Sequence, residues 1–281
     1  MTVAVVTDST SDINAELAEE LDIAIVPLYV QFGKKSYRND NVELTSEEFY
    51  HRLVHDADYP KTSTPNINDF VTTYTELAKK TNEIISIHIS AGISGTYNVG
   101  VAAAREVEAD CRIEMVDSQS VIMGLGLLVI EAAKMAKTGM GLRELTDKVR
   151  NLISRTHTLI TFDTIKYLYR GGHASKTQVL LGSALKMNPL VEVKNELLPY
   201  GRAVGRTRAI NALYKYISGF PHPRSLAVEY ATSAEEAKVI EGRLEEMYPG
   251  VPIYTAMVSA VVAAHVGPTA LVVAMIEGET G

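Results

Sequence analysis

The sequence predicts an α/β protein whose first half is a mostly parallel sheet flanked by helices. Three observations carry this reading. Short runs rich in β-branched residues, VAVVT (3–7), EIISIHI (83–89) and IEMVDS (113–118), recur along the first half. Amphipathic helical stretches lie between the runs, the βαβ alternation of a parallel sheet. Two of the runs lead directly into an Asp-Ser pair (VVTDS and MVDS), which gathers short polar residues at strand ends. Open α/β sheets place their ligands at the carboxyl ends of strands.

The elements follow in order. After VAVVT, the stretch INAELAEELD (13–22) sets Ile13, Leu17 and Leu21 four apart, on one helix face. AIVPLYVQF (24–32) reads as a second strand region. SEEFYHRLV (46–54) is helical, opened by Thr45-Ser46 with Glu48 three residues after Thr45. NDFVTTYTELAKK (68–80) is a further amphipathic helix before EIISIHI. The longest apolar stretch, VIMGLGLLVI (121–130), stops at Glu131 and is too short to span a bilayer. In the second half, TLITFDTIKYLYRGG (158–172) passes from strand to helix to a Gly-Gly stop. ALKMNPLVEVKNELLPYGRA (184–203) reads as a turn, a strand, a short polar hairpin and a second strand. SLAVEYATS, a helix from AEEAKVIEGRL, then VPIYTAMVSAVVAAHVGP and ALVVAMIEG complete the chain. THTLITF (156–162) is the expected boundary between two domains, 1–155 and 156–281.

Composition excludes several classes. A formal charge of -7 over 281 residues argues against a nucleic-acid partner, which would favour a clustered basic footprint. The single cysteine, Cys111, excludes an internal disulfide framework and suits a reducing compartment. MTVAVVTDST enters a strand with no basic n-region, so no signal peptide is expected and the expected location is the cytoplasm.

The loops offer hydroxyls rather than obvious chemistry. In ISAGISGTYN (89–98), Ser94 and Thr96 with Gly92 and Gly95 could present hydroxyls and bare amides to an anion at a helix N-terminus. Alternatively, they cap that helix. The loop has no lysine for a Walker motif, and Thr96 stands where a nucleophile elbow needs glycine. Asp8 is either a nucleophile or the head of an Asx turn capped by Ser11 or Asp12. Thr62-Ser63-Thr64-Pro65 is a cap or a hydroxyl cluster. Arg170 and His173 flank Gly171-Gly172, and Arg202, Arg206 and Arg208 form the densest positive patch. His265, after an apolar run, is either a satisfied core histidine or directed at a ligand. No HExxH, cysteine pair or tight Asp/Glu/His cluster occurs, so no metal site is expected.

Taken in order along almost the whole chain, VVTDSTSD (5–12), KTSTPN (61–66), ISAGISGTYN (89–98), VDSQ (116–119), YLYRGGHAS (167–175), GRAVGRTRA (201–209) and AHVGP (264–268) resemble the DegV family. Its members serve as fatty-acid-binding subunits of bacterial fatty acid kinase. The resemblance implies two α/β domains with a fatty acid in a tunnel between them. Thr62 and Ser94 would hold the carboxylate and Arg170 and His265 would support the head-group network, with Ser63, Gly95 and Thr96 as the supporting loop. A separate ATP-dependent kinase subunit would phosphorylate the carboxylate, feeding phospholipid synthesis. The chain itself would be a carrier with no catalytic residues and no cofactor beyond the bound fatty acid, collecting its lipid by transient membrane contact. Arg202, Arg206 and Arg208 are one candidate for that contact.

Some positions depart from the family pattern. His173 replaces a frequent arginine, Thr269 a common glycine, and Thr64 a usual glutamine. Val99 and Gly100 replace a small polar pair. Two other readings stay open at this point: an enzyme acting on a small phosphorylated or carboxylated substrate with Asp8 as nucleophile, and a regulatory module sensing a metabolite.

Overall fold

A computed structural model describes residues 2–107, 111–172, 187–220 and 222–278. The chain opens with β1 (Ala4–Asp8), a buried 3-10 turn at Ser9–Ser11, α1 (Ala15–Leu21), β2 (Ile23–Val26), β3 (Tyr29–Phe32) and β4 (Lys35–Arg38). There follow α2 (Ser46–His55), β5 (Lys61–Ser63), α3 (Ile67–Ala78), β6 (Glu83–His88), α4 (Thr96–Val107) and β7 (Arg112–Asp117). Helices α5 (Met123–Lys137) and α6 (Leu142–Ile153) lead to β8 (Thr156–Thr161), α7 (Lys166–Arg170), β9 (Met187–Lys194) and β10 (Glu196–Val204). The last elements are α8 (Arg206–Ile217), β11 (Pro223–Tyr230), α9 (Ala234–Met247), β12 (Ile253–Met257), α10 (Ala260–Val266) and β13 (Leu271–Glu277).

These form three sheets. The first, ordered β2-β1-β6-β7, is parallel throughout. The second is mixed, ordered β10-β9-β8-β13-β11-β12, with only the β11–β12 pair parallel. The third is a small antiparallel sheet, β4-β3-β5. The expected strand region 24–32 is thus two strands in different sheets, broken at Pro27-Leu28. Proline has no N–H for a ladder, so the chain turns there from the parallel sheet into the small one.

The apolar stretch 121–130 has a structural destination. It forms most of α5, which touches β1 and β6 of the parallel sheet and β8, β11 and β13 of the mixed sheet. A helix apolar on all sides is one buried on all sides, and twelve of its fifteen residues are buried. Gly126 lies against the Ser11 carbonyl and Gly124 against the hydroxyls of Ser120 and Thr158, so neither position has room for a Cβ. Glu131 within this helix is buried but pairs with Arg224 at 2.7 Å.

Three apolar clusters follow this layering. The largest runs along α5 between the sheets. A second fills the space between the mixed sheet and α8 and α9. The third packs α3 and α4 on the far face of the parallel sheet.

The expected positive patch also resolves into structure. Residues 206–217 are helix α8, and Arg206 grips Glu236 at 2.7 Å while donating to the Thr269 carbonyl at 2.7 Å. That guanidinium holds the Glu236 carboxyl below its ordinary range. Arg206 is therefore a clamp between α8, α9 and the turn before β13, not part of a solvated basic face. Thr269 itself accepts from the Asp163 amide at 3.0 Å. His173 lies outside the described residues.

Candidate functional site

In the strand order β2-β1-β6-β7, the connection leaving β1 runs to β2 on one side and that leaving β6 runs to β7 on the other, which opens a crevice at the carboxyl ends of β1 and β6. The segments leaving those two ends carry the Asp8–Asp12 turn and the Ile89–Gly95 loop. Both reach one cavity of about 240 Å³. Its walls are mainly apolar, with Leu28, Ile89, Ile93 and Val121 on one side and Ile160, Leu197, Val261, Val262 and Val266 on the other. Its polar rim is Thr10, Thr62, Ser63, Thr64, Ser94, Gly95 and His265.

The structure brings together most of the residues expected to form the site. Thr62 lies on a strand, β5, paired opposite Val30 of β3, rather than in a loop before a helix. Its Oγ1 is 2.9 Å from Nε2 of His265, the penultimate residue of α10. Ser94 sits just before α4. Its Oγ accepts from the Thr96 amide at 3.2 Å and lies 2.9 Å from Thr96 Oγ1. Ser94 thus ties down the start of α4, as the capping reading expects, and also lines the cavity. Thr96 is fully buried behind it and supports Ser94 without reaching the cavity.

Arg170 does not line the cavity. Its guanidinium lies 5.0 Å from the centre of the Tyr59 ring, and Tyr59 donates from its hydroxyl to the Ala264 carbonyl, next to His265. Burial holds the Tyr59 phenol protonated, its pKa raised to about 12. Among the described residues, Arg170 connects to the site through Tyr59 and the backbone of α10. Among the departures from the family pattern, Thr64 lines the cavity, whereas Gly100 packs on Phe70 and Met115 beyond the parallel sheet.

His265 is also fixed from below. A Cβ at residue 171 would overlap its imidazole, and the backbone there (φ near -81°) would accept alanine without strain. Gly171→Ala should therefore push the ring off Thr62. We expect about a tenfold loss of affinity for a carboxylate ligand, the value of roughly one hydrogen bond, checked by titration of variant and parent.

Asp8 has a different place from the one a nucleophile needs. It is fully buried. Its Oδ1 accepts from Thr10 N at 3.0 Å and Thr10 Oγ1 at 2.5 Å; its Oδ2 accepts from Ile89 N at 3.0 Å and meets His88 Nδ1 at 3.0 Å. Four contacts occupy the lone-pair sites of a carboxylate, leaving none for a substrate. The chain of contacts continues from His88 Nε2 to Ser86 Oγ at 2.6 Å and on to the Tyr74 hydroxyl at 2.8 Å. Asp8 welds the ends of β1 and β6 together beneath the cavity.

Sequence reasoning missed four contributors: Thr10, Val121, Leu197 and the hairpin tip at Asn195. Asn195 (φ 59°) joins β9 to β10. Its backbone carbonyl accepts from Ser90 Oγ at 2.5 Å, and its amide donates to the Gln119 carbonyl at 2.8 Å. The tip thus docks into the loop that carries Ser94, directly against Gly92, which has no room for a side chain. The polar hairpin was legible, but its docking partner, about a hundred residues away in sequence, was not. Val121 precedes Ile122, a buried β-branched residue held at φ 54°. That strained conformation, held where Ile122 N donates to the Thr10 carbonyl at 2.8 Å, adjoins the cavity-lining Val121; strain of this kind often collects near functional sites.

Among the described residues, no group of three or more His, Cys, Asp or Glu side chains could hold a metal ion. No helix among them is long and apolar enough to cross a membrane.

Comparison with known proteins agrees along the whole chain. The family model described as DegV matches residues 2–278. Protein DegV of Bacillus subtilis is 34% identical over 278 residues, 96% of this chain and 98% of that one. A DegV domain-containing protein of Staphylococcus aureus is 31% identical over 274 residues, 95% of this chain and 96% of its own. Among solved structures, DegV of Bacillus subtilis, a fatty acid binding protein, superposes with a TM-score of 0.90 at 31% identity, covering 99% of this chain and all of that one. A fatty-acid-binding DegV family protein of Thermus thermophilus superposes with a TM-score of 0.89 at 28% identity, with 99% and 100% covered.

Proposed function

The chain belongs to the DegV family, and from that premise and the cavity we propose that it binds a long-chain fatty acid, the carboxylate at the Thr62–Ser94–His265 rim and the tail among the apolar walls. The observation that carries this reading is one cavity lined mainly by apolar side chains together with the hydroxyls of Thr62 and Ser94 and the imidazole of His265.

The rim's hydrogen bonds suit an anion. Ser94 Oγ accepts from the Thr96 amide; with the Thr96 hydroxyl also donating to it, the Ser94 O–H is free to point at a carboxylate. With the imidazole proton on Nε2, Thr62 Oγ1 would accept from His265 and keep its own O–H for the ligand. The N-terminus of α4 adds favourable potential for negative charge. Donors of this kind offset the cost of burying a carboxylate, which would otherwise cancel much of the tail's contribution. That contribution is about 0.8 kcal/mol per buried methylene, so a chain of roughly 14 methylenes supplies about 11 kcal/mol before ordering costs.

The finer reading is a carrier: the bound acid's carboxylate is presented to a separate ATP-dependent kinase subunit for acyl-phosphate formation, the lipid being collected in transient contact with a membrane. The grouping of Thr62, Ser94 and His265 on one cavity, where they could hold a carboxylate, supports it. The saturated Asp8 carboxylate gives no support to an Asp8 nucleophile.

Native mass spectrometry of the purified chain, followed by denaturation and identification of what is released, tests the proposal. The expected result is a stoichiometric long-chain fatty acid. An empty chain that also fails to take up added fatty acid would overturn it.

A further inference from the structure

A second cluster of buried polar groups lies where the two large sheets meet α10, and the proposal above makes no use of it. Asp12 closes the 3-10 turn after β1 in a left-handed conformation (φ 52°). Glu229 stands in β11 of the mixed sheet and is fully buried, while Asp12 is 8% exposed. Asp12 Oδ1 and Glu229 Oε1 are buried and find no hydrogen-bond partner among the described residues, and the two side chains act on each other's ionisation. The other oxygens are each held by the start of a helix. Asp12 Oδ2 accepts from the amide of Ser259, the residue preceding α10, at 3.2 Å, and Glu229 Oε2 accepts from the Met123 amide at the start of α5 at 3.1 Å.

No cation among the described residues pairs with either carboxyl. The titratable groups acting on the pair are the Asp8 carboxyl at the end of β1 and the Tyr50 phenol of α2, with Tyr230, the neighbour of Glu229 on β11, acting on Tyr50. Tyr50 donates its proton elsewhere, to the Val258 carbonyl at 2.8 Å. Two buried carboxylates acting on each other, with no counter-ion among the described residues, do not both ionise at neutral pH. A carboxyl–carboxylate contact without a hydrogen between its oxygens would be repulsive.

We propose that Asp12 and Glu229 share one proton, and that this proton-bridged pair positions α10, and through it His265 and the Val261–Val262 wall, against the ligand cavity. The link is short: Asp12 fixes the amide one residue before α10, and His265 lies on the last turn of that seven-residue helix. Asp12 and Glu229 are positioning residues; neither lines the cavity. The shared proton is independent of any ligand, whereas its effect on the cavity rests on the fatty-acid reading.

Burial supports the assignment, pushing Asp12 up to about 7 and Glu229 well above its ordinary range. The sign for stability follows. The folded chain retains a proton that the unfolded chain releases near pH 4, so it binds more protons over that interval and stability falls as pH rises. The fall begins near the unfolded carboxyl value and extends through about 7 and above as the shared proton leaves the pair. The two carboxyls titrate as a unit.

Infrared difference spectroscopy on the full chain reads the proton directly. The expected result at neutral pH is the carbonyl stretch of a protonated carboxylic acid, removed by Glu229→Gln and equally by Asp12→Asn, each of which supplies an amide donor in place of the proton. Two variants are used so that failure of one to fold leaves the other. Affinity for a fluorescent long-chain fatty acid should fall about tenfold between roughly pH 6 and pH 9 in the parent. The ratio should be near one in the variants. Absence of the protonated band in the parent, or the same pH slope in parent and variants, overturns the proposal. A parent that shows the band and a pH-dependent melting temperature but takes up no fatty acid would keep the shared proton and defeat the functional reading instead.

Discussion

Replacing Thr62 and Ser94 together by alanine is expected to weaken fatty-acid binding by roughly two to four orders of magnitude while leaving the chain folded. Each hydroxyl would donate to a carboxylate, and a hydrogen bond to a charged group is worth about 1.5–3 kcal/mol. The two are on separate elements, Thr62 on β5 and Ser94 before α4, so neither can swing to replace the other. The fold should survive because the losses are local. Thr62→Ala leaves the β3–β5 backbone ladder in place, and Ser94→Ala removes two side-chain contacts to Thr96 at the start of α4, a cap loss of about 1 kcal/mol. Titration with a fluorescent fatty acid, beside a melting curve, checks both halves. A dissociation constant within about threefold of the parent's would exclude these hydroxyls as the head-group donors.

Asp8→Ala should have the largest effect on stability. The substitution strands two backbone amides, Thr10 N and Ile89 N, together with the Thr10 hydroxyl and the His88 imidazole, all in the dry interior. Each buried donor left unsatisfied costs about 1–3 kcal/mol. We expect a loss of about 4 kcal/mol, the upper end for single substitutions, which lowers the melting temperature by about 10 °C in a chain of this size. Urea denaturation measures it. A nucleophile at the same position would give the opposite pattern, a variant of parental stability that lacks a reaction. Parental stability in Asp8→Ala would therefore refute the structural role.

The path from sequence to site was uneven, and particular residues show why. The parallel sheet was legible because β1, β6 and β7 are short β-branched runs separated by helical periodicity. Both signals are local. Ser94 was legible as a small hydroxyl between glycines at a strand end, where capping and ligand binding are equivalent from sequence; the structure shows it at the start of α4 and on the cavity lining. Thr62 was quoted as part of a hydroxyl cluster but not seen as a strand residue, because β5 is three residues long and depends on pairing with β3. Strand propensity is weak when pairing and burial decide it.

The stretch 121–130 shows the same limit. Its apolar character was plain, but only the packing of two sheets around it says that it is a helix between them. Asp12 was read as a cap, which is what a polar residue after a strand most often is. Its contact with Glu229 joins positions more than two hundred residues apart.

By itself the sequence determined the α/β class, the order of most strands and helices, the absence of a disulfide framework, and the hydroxyl-bearing loops at strand ends. Those features depend on near neighbours along the chain, through periodicity, capping and turn chemistry. Only the tertiary structure decided that Thr62 faces His265, that Arg170 acts through Tyr59, that Asp8 is spent on holding β1 to β6, and that the hairpin tip at Asn195 closes on the Ser94 loop. These depend on which side chains the layering of two sheets about α5 brings within hydrogen-bonding distance, and distances between remote segments leave no periodic trace in the residues that end up at them.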